Sequence, residues 1–599
     1  MRIFTQQILS SAFAFSIACA ASAQDAPALA WGKMFDGGTK SGDQSIAVAV
    51  APDNSVYWMN TLASHSDEEY GRDVFFGGVK LFEGAPYEGT SVNNNLAITK
   101  TDADGNVLWT VYSTSGDFAN SQGGIAIGAD GSVHFAAKVR HTAGMLDKEM
   151  SLTFTDGEVY AFGTPLMNTD NYYMGIYGKI KPDGTVDYIG TIEPGHYDAD
   201  GKNVADALSI NGVVLDAEGQ LYIAGSCKMP VSIYPGAGMA HVGFRGDENG
   251  KTENLFIARI SSDGLYLQSL TAAGTALPKE QLASITFSYG KLYVTGQASA
   301  AEATDITLGG KTISVNDVNT PFIASVSTAD FSVDWVTAAP GEKVDNANAI
   351  QNTSVSVAGG NVWYTGMFNG KFTFGDKVLQ STQSKQREGL IGKFDAATGS
   401  CLAIAGSREG FTSDAALGGY LASFSNPAEP SNIYVYGYLM NKDHGTFLRT
   451  YRTADLTPDA DHSWDLVSGG GAPIAVSMAY DDTLPALFCT TRGNQAFSPL
   501  GGEESDKPSF FGIYATRFDL PEALFSGVDN VSTAATAAGV KVYGGNGVLR
   551  IAAAADTTVS IYDLAGRAAA TVTVNGGSEA SVTLPAGIYI AAGIKAVVR

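Results

Sequence analysis

Leu221-Tyr222-Ile223-Ala224-Gly225 is the clearest copy of a stretch that occurs seven times in this 599-residue chain. Each copy is an apolar–aromatic–apolar run that follows a turn and often ends in glycine. The other six copies are Val56-Tyr57-Trp58, Val133-His134-Phe135, Leu292-Tyr293-Val294-Thr295-Gly296, Val362-Trp363-Tyr364-Thr365-Gly366, Ile433-Tyr434-Val435-Tyr436-Gly437 and Leu487-Phe488-Cys489. Such residues favour strands, and self-similarity at spacings of 54 to 88 residues marks stacked or circular repeats.

A second phrase follows every copy of the first. It is an apolar run that usually reaches Lys or Arg before an Asp/Gly turn, which is a strong hairpin signal. The copies are Leu96-Ala97-Ile98-Thr99-Lys100, Ile176-Tyr177-Gly178-Lys179, Phe256-Ile257-Ala258-Arg259, Phe322-Ile323-Ala324-Ser325, Leu390-Ile391-Gly392-Lys393, Phe447-Leu448-Arg449 and Ile513-Tyr514-Ala515-Thr516-Arg517.

A third phrase follows the second in six repeats and is missing after Phe518. The copies are Val107-Leu108-Trp109, Val186-Asp187-Tyr188, Leu265-Tyr266-Leu267, Val333-Asp334-Trp335, Cys401-Leu402-Ala403 and Ser463-Trp464. Leu29-Ala30-Trp31, near the start of the chain, matches the phrase. The pattern therefore predicts circular closure, in which this N-terminal strand completes the last repeat and removes an open sheet edge.

A fourth strand is expected before the first phrase, where Ile46–Val50 and Val213–Leu215 fit it. Four strands in each of seven repeats predict an all-β fold, a seven-bladed β-propeller. The repeats are longer than the roughly 40–50 residues of compact propeller repeats. The surplus lies mainly between the first and second phrases, so we expect long insertions there, such as extra hairpins.

Three glycine-containing stretches lie within these insertions: Phe76-Gly77-Gly78-Val79-Lys80-Leu81, Leu308-Gly309-Gly310-Lys311-Thr312-Ile313 and Phe374-Gly375-Asp376-Lys377-Val378-Leu379. With the three phrases, they resemble the bacterial β-propeller repeat family called SBBP. The resemblance covers roughly Ala30 to Phe518 and is poor in repeats six and seven. It implies a secreted or surface propeller and carries no common catalytic motif.

The C-terminal residues form a separate pattern of strands. Val559-Ser560-Ile561-Tyr562-Asp563-Leu564-Ala565-Gly566-Arg567 and Leu584-Pro585-Ala586-Gly587-Ile588-Tyr589-Ile590 resemble the C-terminal domain of proteins exported by the type IX (Por) secretion system. The usual Pro-Asn-Pro-like opening is replaced by Tyr543-Gly544-Gly545-Asn546-Gly547. The resemblance implies a small β-sandwich that contacts the secretion or attachment machinery. The alternative is an accessory sandwich with no export role.

The N-terminal residues predict secretion. Arg2 precedes an apolar stretch from Ile8 to Ala20, and Ala21-Ser22-Ala23 offers a cleavage site. A lipoprotein signal that uses Cys19 is the alternative. The expected domains are a signal peptide at 1–23, the propeller at 24–520, a linker at 521–539 and the sorting-type β-sandwich at 540–599. No later segment is apolar enough to predict a transmembrane span.

Composition restricts the partners. The formal net charge of −24 argues against nucleic acid or an anionic membrane. Cys227, Cys401 and Cys489 lack metal-ligand spacing and are interpreted as small hydrophobic residues. His134 occupies the aromatic position of the repeated strand, which indicates core packing. No cofactor is predicted.

Candidate sites are few. Asp102 and Asp104, and likewise Asp198 and Asp200, resemble the start of a calcium loop but lack the glutamate that completes an EF-hand, so an ordinary turn is the competing interpretation. The binding-loop candidates, placed in the insertions, are Asp67, Glu68, Glu69, Tyr70, Tyr172 and Tyr173.

No catalytic residue can be named from the sequence. The favoured function is a secreted or cell-surface protein that binds a protein or glycan without catalysis. One alternative is a carbohydrate-active enzyme on a propeller, a glycosidase or lyase, whose carboxylates would converge from several repeats. The other is a structural component of the cell envelope.

Overall fold

A computed structural model defines the fold as all-β with many antiparallel sheets. It describes residues 26–37, 43–64, 73–84, 93–115, 122–141, 150–162, 172–195, 204, 207–235, 242–244, 253–274, 279–344, 349–381, 387–407, 417–425, 431–441, 444–467, 474–481, 484–494, 511–521, 540–544, 548–553, 555–563, 567–576, 578–585, 587–591 and 594–598. The predicted signal peptide and the predicted linker, apart from Pro521, lie outside these residues.

Seven four-stranded antiparallel meanders follow one another in the described part of the chain, numbered here as sheets 1 to 7. Sheet 1 contains β2 (Gln44–Val50), β3 (Val56–Ser64), β6 (Asn93–Thr101) and β7 (Val107–Ser115). Sheet 2 contains β8 (Gly123–Ile127), β9 (Val133–His141), β12 (Tyr172–Ile180) and β13 (Val186–Pro194). Sheet 3 contains β14 (Leu208–Leu215), β15 (Leu221–Cys227), β18 (Asn254–Ile260) and β19 (Tyr266–Gly274).

The remaining four meanders repeat this order. Sheet 4 contains β20 (Lys279–Ser288), β21 (Lys291–Ser299), β24 (Thr320–Ser327) and β25 (Val333–Ala338). Sheet 5 contains β27 (Ala349–Ala358), β28 (Asn361–Asn369), β31 (Glu388–Asp395) and β32 (Cys401–Gly406). Sheet 6 contains β33 (Leu417–Phe424), β34 (Asn432–Asn441), β35 (His444–Arg452) and β36 (Pro458–Val467). Sheet 7 contains β37 (Ile474–Asp481), β38 (Ala486–Asn494), β39 (Phe511–Asp519) and β1 (Ala28–Asp36).

The repeated phrases occupy equivalent strands. The first phrase lies in the second strand of each sheet, and the second phrase lies in the third strand. The strand predicted to precede the first phrase is the first strand of the sheet, as in β2 and β14. Every residue of β15 is buried. A strand that is buried on both faces reads as a continuous apolar run, which explains why this phrase is the most visible signal in the sequence.

The seven meanders contact each other in a closed order through their first strands. These contacts run from β2 to β8, β14, β20, β27, β33 and β37, and from β37 back to β2. The sheet that closes this order uses β1, which pairs antiparallel with β39 so that Trp31 lies opposite Arg517. The predicted closure by Leu29-Ala30-Trp31 is therefore confirmed.

Five of the insertions form hairpins that leave their own sheet. Four hairpins extend the preceding sheet in the closed order by pairing with its last strand. The fifth pairs with β26 (Gly341–Glu342), which follows sheet 4 in the chain, and forms a separate three-stranded sheet with it. The hairpins are β4 (Asp73–Phe76) with β5 (Val79–Glu83), β10 (Met150–Thr153) with β11 (Val159–Phe162), β16 (Val231–Tyr234) with β17 (Val242–Phe244), β22 (Thr304–Leu308) with β23 (Lys311–Val315), and β29 (Lys371–Phe374) with β30 (Lys377–Gln380). The expected extra hairpins are confirmed, and their pairing ties neighbouring sheets together.

Trp31, Trp109 and Trp335, three tryptophans of the third phrase, contact a turn of the following sheet. In each case the indole Nε1–H donates to a turn carbonyl, at 2.9 Å for Trp31 and Trp109 and 3.2 Å for Trp335. A glycine of the same turn lies so close to the ring that a Cβ at its position would crowd the indole. We call this contact the turn latch; its pairs are Trp31–Gly105, Trp109–Gly184 and Trp335–Gly399. These three tryptophans thus pack between neighbouring sheets.

The C-terminal residues form two further sheets. One contains β40 (Lys541–Gly544), β41 (Val548–Ala553) and β44 (Ser578–Thr583). The other contains β42 (Thr557–Asp563), β43 (Ala568–Val574), β45 (Gly587–Ala591) and β46 (Ile594–Val598). Both sheets contribute to one buried apolar cluster, which includes Leu549 and Ile551 from the first and Val559 and Ile561 from the second.

Candidate functional site

The first strands of the seven meanders surround a cavity of about 710 Å³. This volume is within the range of roughly 300–1,000 Å³ found for small-molecule sites. Small and apolar residues alternate with hydroxyl and amide residues in its lining, and the exposed surface of the lining is more polar than apolar. The lining residues are Gln44, Ser45, Ile46, Ala47, Val48, Gly123, Gly124, Ile125, Asn211, Gly212, Val213, Ala283, Ser284, Ile285, Thr353, Ser354, Leu421, Ala422, Tyr438, Val476, Ser477, Met478 and Arg492.

Irregular pairing between first and second strands recurs at this cavity. Register shifts fall between Ser45 and Ala47, Ile210 and Gly212, Leu282 and Ser284, Gln351 and Ser354, Tyr420 and Ala422, and Ala475 and Ser477. Within the shifts lie the six cavity-lining residues that we call the bulge residues: Ile46, Asn211, Ala283, Thr353, Leu421 and Val476. β-bulges re-aim side chains and are enriched beside functional sites.

Hydroxyl groups of the wall bind neighbouring strands to each other. Ser45 Oγ lies 3.4 Å from Ser477 Oγ, which joins β2 to β37. Ser477 Oγ also lies 2.7 Å from Thr490 Oγ1. Thr353 donates to Thr295 Oγ1 at 3.3 Å, which joins sheet 5 to sheet 4. These hydroxyls therefore hold the ring of first strands together.

Arg492 is the one charged residue among the described residues that line the cavity. It lies on β38 opposite Ile474 of β37 and is half-buried. Desolvation lowers the pKa of its guanidinium, and attraction to Asp43 raises it. The group nevertheless stays cationic because arginine ionises far above neutral pH.

Asp43 is a buried carboxylate immediately before β2. It accepts the backbone N–H of Ala63 at 2.8 Å and that of Gly37 at 3.2 Å, and so connects β3 to the segment after β1. Burial raises the pKa of Asp43 to about 7, a shift that these two hydrogen bonds and the charge of Arg492 partly oppose. The proximity of Asp36 adds to the rise.

Two of the calcium candidates have other partners in the structure. Asp102 Oδ1 accepts the backbone N–H groups of Asp104 and Asn106 at 3.0 and 2.8 Å, which closes the hairpin turn. Asp104 forms an ion pair of 3.1 Å with Arg517. Among the described residues, no group of three or more His, Cys, Asp or Glu side chains is placed to hold a metal ion. Asp198 and Asp200 lie outside those residues.

The binding-loop candidates are separated by the structure. Tyr172 and Tyr173 begin β12, opposite His141 and Arg140 of β9, so their placement in an insertion loop was wrong. Aromatic residues favour strands, and here they extend the pairing with β9. The ammonium group of Lys138 lies 4.5 Å from the centre of the Tyr173 ring. Asp67, Glu68, Glu69 and Tyr70 lie outside the described residues.

His134 and two cysteines lie where the sequence indicated. Cys227 and Cys489 are buried within second strands, and Cys401 is half-buried in β32. The His134 side chain is 3% exposed beside Tyr188, and burial lowers its pKa to about 4. These groups therefore belong to the packed interior.

Sequence reasoning missed Arg492 and the bulge residues. Arg492 stands five residues after the start of the seventh first-phrase copy, where the sixth copy has Tyr438, another cavity-lining residue. A charged residue at this position of an otherwise apolar repeated strand could have marked Arg492 as a candidate site residue. Pairing irregularities leave no comparable mark in the sequence because a bulge depends on the partner strand.

Comparisons with known proteins leave the family of this chain open. No family model and no curated protein matches it. A crystal structure of a protein of unknown function from Dyadobacter fermentans is similar at a TM-score of 0.34 and 9% identity, covering 66% of this chain and 94% of that one. Trypanosoma rangeli sialidase in complex with 2,3-difluorosialic acid gives a TM-score of 0.32 at 9% identity, covering 92% and 84%. Likenesses this weak carry no functional argument.

Proposed function

We propose that this chain is a secreted or cell-surface β-propeller of seven blades that binds a protein or glycan without catalysing a reaction. The observation that carries the proposal is the closed order of seven meanders, completed by the pairing of β1 with β39. Closure removes free sheet edges and gives a rigid support for variable loops. Such supports commonly carry binding residues on their loops.

The insertions between second and third strands are the proposed binding surface. They differ from repeat to repeat, whereas the strands are occupied by packing between sheets. Within them, Asp67, Glu68, Glu69 and Tyr70 remain the candidate contacts, since carboxylates and tyrosine hydroxyls bind polar partners and an aromatic ring can stack on a sugar.

The two C-terminal sheets support a sandwich of the sorting-domain type. In the Asp-x-x-Gly-Arg element, Arg567 donates from its backbone N–H to Asp563 at 2.9 Å and from Nε at 2.8 Å. In the Leu-x-x-Gly-x-Tyr element, the Tyr589 hydroxyl donates to the Pro585 carbonyl at 3.0 Å. Both elements thus stabilise turns within this unit, and we propose that the unit directs export or attachment.

The carbohydrate-active alternative requires two carboxyl groups roughly 5–10 Å apart across a substrate site. No aspartate or glutamate is among the described residues that line the central cavity. The cavity therefore does not support a glycosidase or lyase. The binding experiment described next also tests this alternative.

That experiment uses the chain from Gln24 onwards on a glycan array and against purified surface proteins. We expect saturable binding of one class with no change in the bound glycan, and at least about 10-fold weaker binding when Asp67, Glu68 and Glu69 are changed to amides and Tyr70 to alanine. Asp465→Asn, at an ion pair with Arg449 on the last strand of sheet 6 and outside the insertions, is the control and should bind normally. Cleavage of the glycan would favour the enzyme alternative. Absence of binding to either class would favour the envelope role.

The export proposal is tested in a bacterial host that has a type IX secretion system. A chain that ends at residue 539 should be retained inside the cell, whereas the full chain should be accessible to added protease at the surface. A chain whose residues 540–599 are replaced by an unrelated folded domain controls for length. Equal surface exposure of all three would contradict an export role for the tail.

A further inference from the structure

We infer that the Asn60 side chain binds a buried water molecule in the closing seam, the contact between sheets 1 and 7 where the ring closes. This site lies in the interior of the ring, so it is independent of the binding and export functions proposed above.

Asn60 is a buried amide on β3, the second strand of sheet 1. It is 0% exposed, and neither its Oδ1 nor its Nδ2 has a hydrogen-bond partner among the described residues. Burial removes an amide from its hydrogen bonds to bulk water, and leaving it unpaired costs free energy. Buried polar groups of this kind are commonly satisfied by an internal water molecule.

The Asn60 side chain faces sheet 7. Successive side chains of a strand point to opposite faces of the sheet, so Asn60 shares a face with Trp58 and Leu62. Both of those residues belong to an apolar cluster that also contains Phe488 of sheet 7. The unpaired amide therefore lies in the closing seam.

Hydroxyl groups from both sheets lie in the same seam. Ser45 is paired directly opposite Asn60, and its Oγ lies 3.4 Å from Ser477 Oγ of sheet 7. Ser477 Oγ lies 2.7 Å from Thr490 Oγ1 in turn. Each hydroxyl has one donor and two acceptor positions, so these contacts leave acceptor positions unused. A buried water typically makes about three hydrogen bonds, and the amide and the hydroxyls supply groups for them.

A comparison of repeats indicates room for the water. Asn60 lies opposite the first-strand residue that precedes the register shift, a position that holds glycine in sheets 3, 4 and 6. Each of these glycines is also paired with a phenylalanine of the third strand, in the pairs Gly225–Phe256, Gly296–Phe322 and Gly437–Phe447. A Cβ at Gly225 would lie 2.8 Å from Phe256 Cζ, so the ring covers the glycine. In sheet 1 the corresponding pair is Asn60–Ala97, which has an amide and no ring.

The direct test is a crystal structure of the chain from Gln24 onwards at a resolution that orders internal waters. We expect a density peak at hydrogen-bond distance, about 2.7–3.2 Å, from Asn60 Oδ1 or Nδ2 on the side of sheet 7. A protein group bonded to both amide atoms, or apolar contacts with no peak, would overturn the inference.

A double variant tests the site in solution. Asn60→Gly combined with Ala97→Phe gives sheet 1 the glycine–phenylalanine pair of sheets 3, 4 and 6. We expect it to lose a long-lived internal water, as counted by magnetic relaxation dispersion of water oxygen-17, because the new ring fills the space and the amide is gone. Asn361→Ala, which removes an amide from a surface turn, is the control and should leave the count unchanged.

An unchanged count in the double variant would also overturn the inference. If the double variant does not fold, Asn60→Leu is measured in the same way, because leucine keeps a similar volume without hydrogen-bonding groups. Retention of the water in Asn60→Leu would show that Asn60 does not bind it.

Discussion

Replacing Gly399 by alanine perturbs a single turn latch and changes no charge. Gly399 has a φ of +73° in the turn between β31 and β32, and a Cβ there would lie 2.5 Å from Trp335 Cδ2. The Trp335 side chain is 7% exposed and donates to the Ala396 carbonyl in the same turn. The indole must therefore move for the alanine to fit.

The expected loss has two separable parts. An alanine at positive φ costs about 1 kcal/mol relative to glycine. Displacing the indole breaks the hydrogen bond to Ala396, worth about 1 kcal/mol, and strains the packing by about 1–3 kcal/mol. We therefore expect Gly399→Ala to lower the free energy of unfolding by about 4 kcal/mol.

Gly360 provides the matched control in the same sheet. Its φ is also +73°, but an added Cβ would meet no atom within 4 Å. Gly360→Ala should therefore lose only the backbone part, about 1 kcal/mol. Guanidinium denaturation followed by tryptophan fluorescence compares the two midpoints.

A double variant isolates the latch itself. In a Trp335→Leu background the ring is absent, so most of the loss for Gly399→Ala beyond that for Gly360→Ala should disappear. The remainder reflects Thr337 Oγ1, which the new Cβ would approach to 2.9 Å. Equal losses for Gly399→Ala and Gly360→Ala in the otherwise unchanged chain would refute the reasoning that the turn and the indole are coupled.

Three further predictions concern charge, closure and thiol reactivity. Burial raises the pKa of Asp43 to about 7, so the folded state binds a proton more tightly than the unfolded state. The free energy of unfolding, measured by denaturant titration, should therefore fall by about 4 kcal/mol as pH rises from about 4 to 7. If Asp43→Asn leaves this pH dependence unchanged, the assignment to Asp43 is wrong. Deleting residues 28–36 should expose the edge of β39 and produce aggregates in light scattering, and a monomer of unchanged thermal midpoint would argue against closure. The buried Cys227 and Cys489 should resist Ellman's reagent until denaturant is added. Cys401 should react slowly at pH 8, because burial raises the pKa of its thiol to about 12. Rapid labelling of the native chain would contradict these burial assignments.

Much of the strand order could be predicted because strands are a local property. The alternation of apolar and aromatic residues is present within each copy, as in Leu221–Gly225, and the missing third phrase after Phe518 was matched by Leu29-Ala30-Trp31. Counting phrases thus predicted a pairing between β1 and β39, which begin and end the part of the chain that forms the seven meanders. The misplaced Tyr172 and Tyr173 show where local reasoning ended, since the length of a strand depends on how far its partner extends.

The sequence by itself determined the repeated strands and the strand that closes sheet 7, because each depends on a pattern within one short segment. Only the tertiary structure decided which hairpin extends which sheet, which residues lie in the bulges and which side chains face the cavity. Arg492 and Asp43 are the clearest case. They come from the last and first repeats, and they interact only because closure brings β37 and β38 beside β2. No local pattern records such a contact, since it is created by the folding of the whole ring.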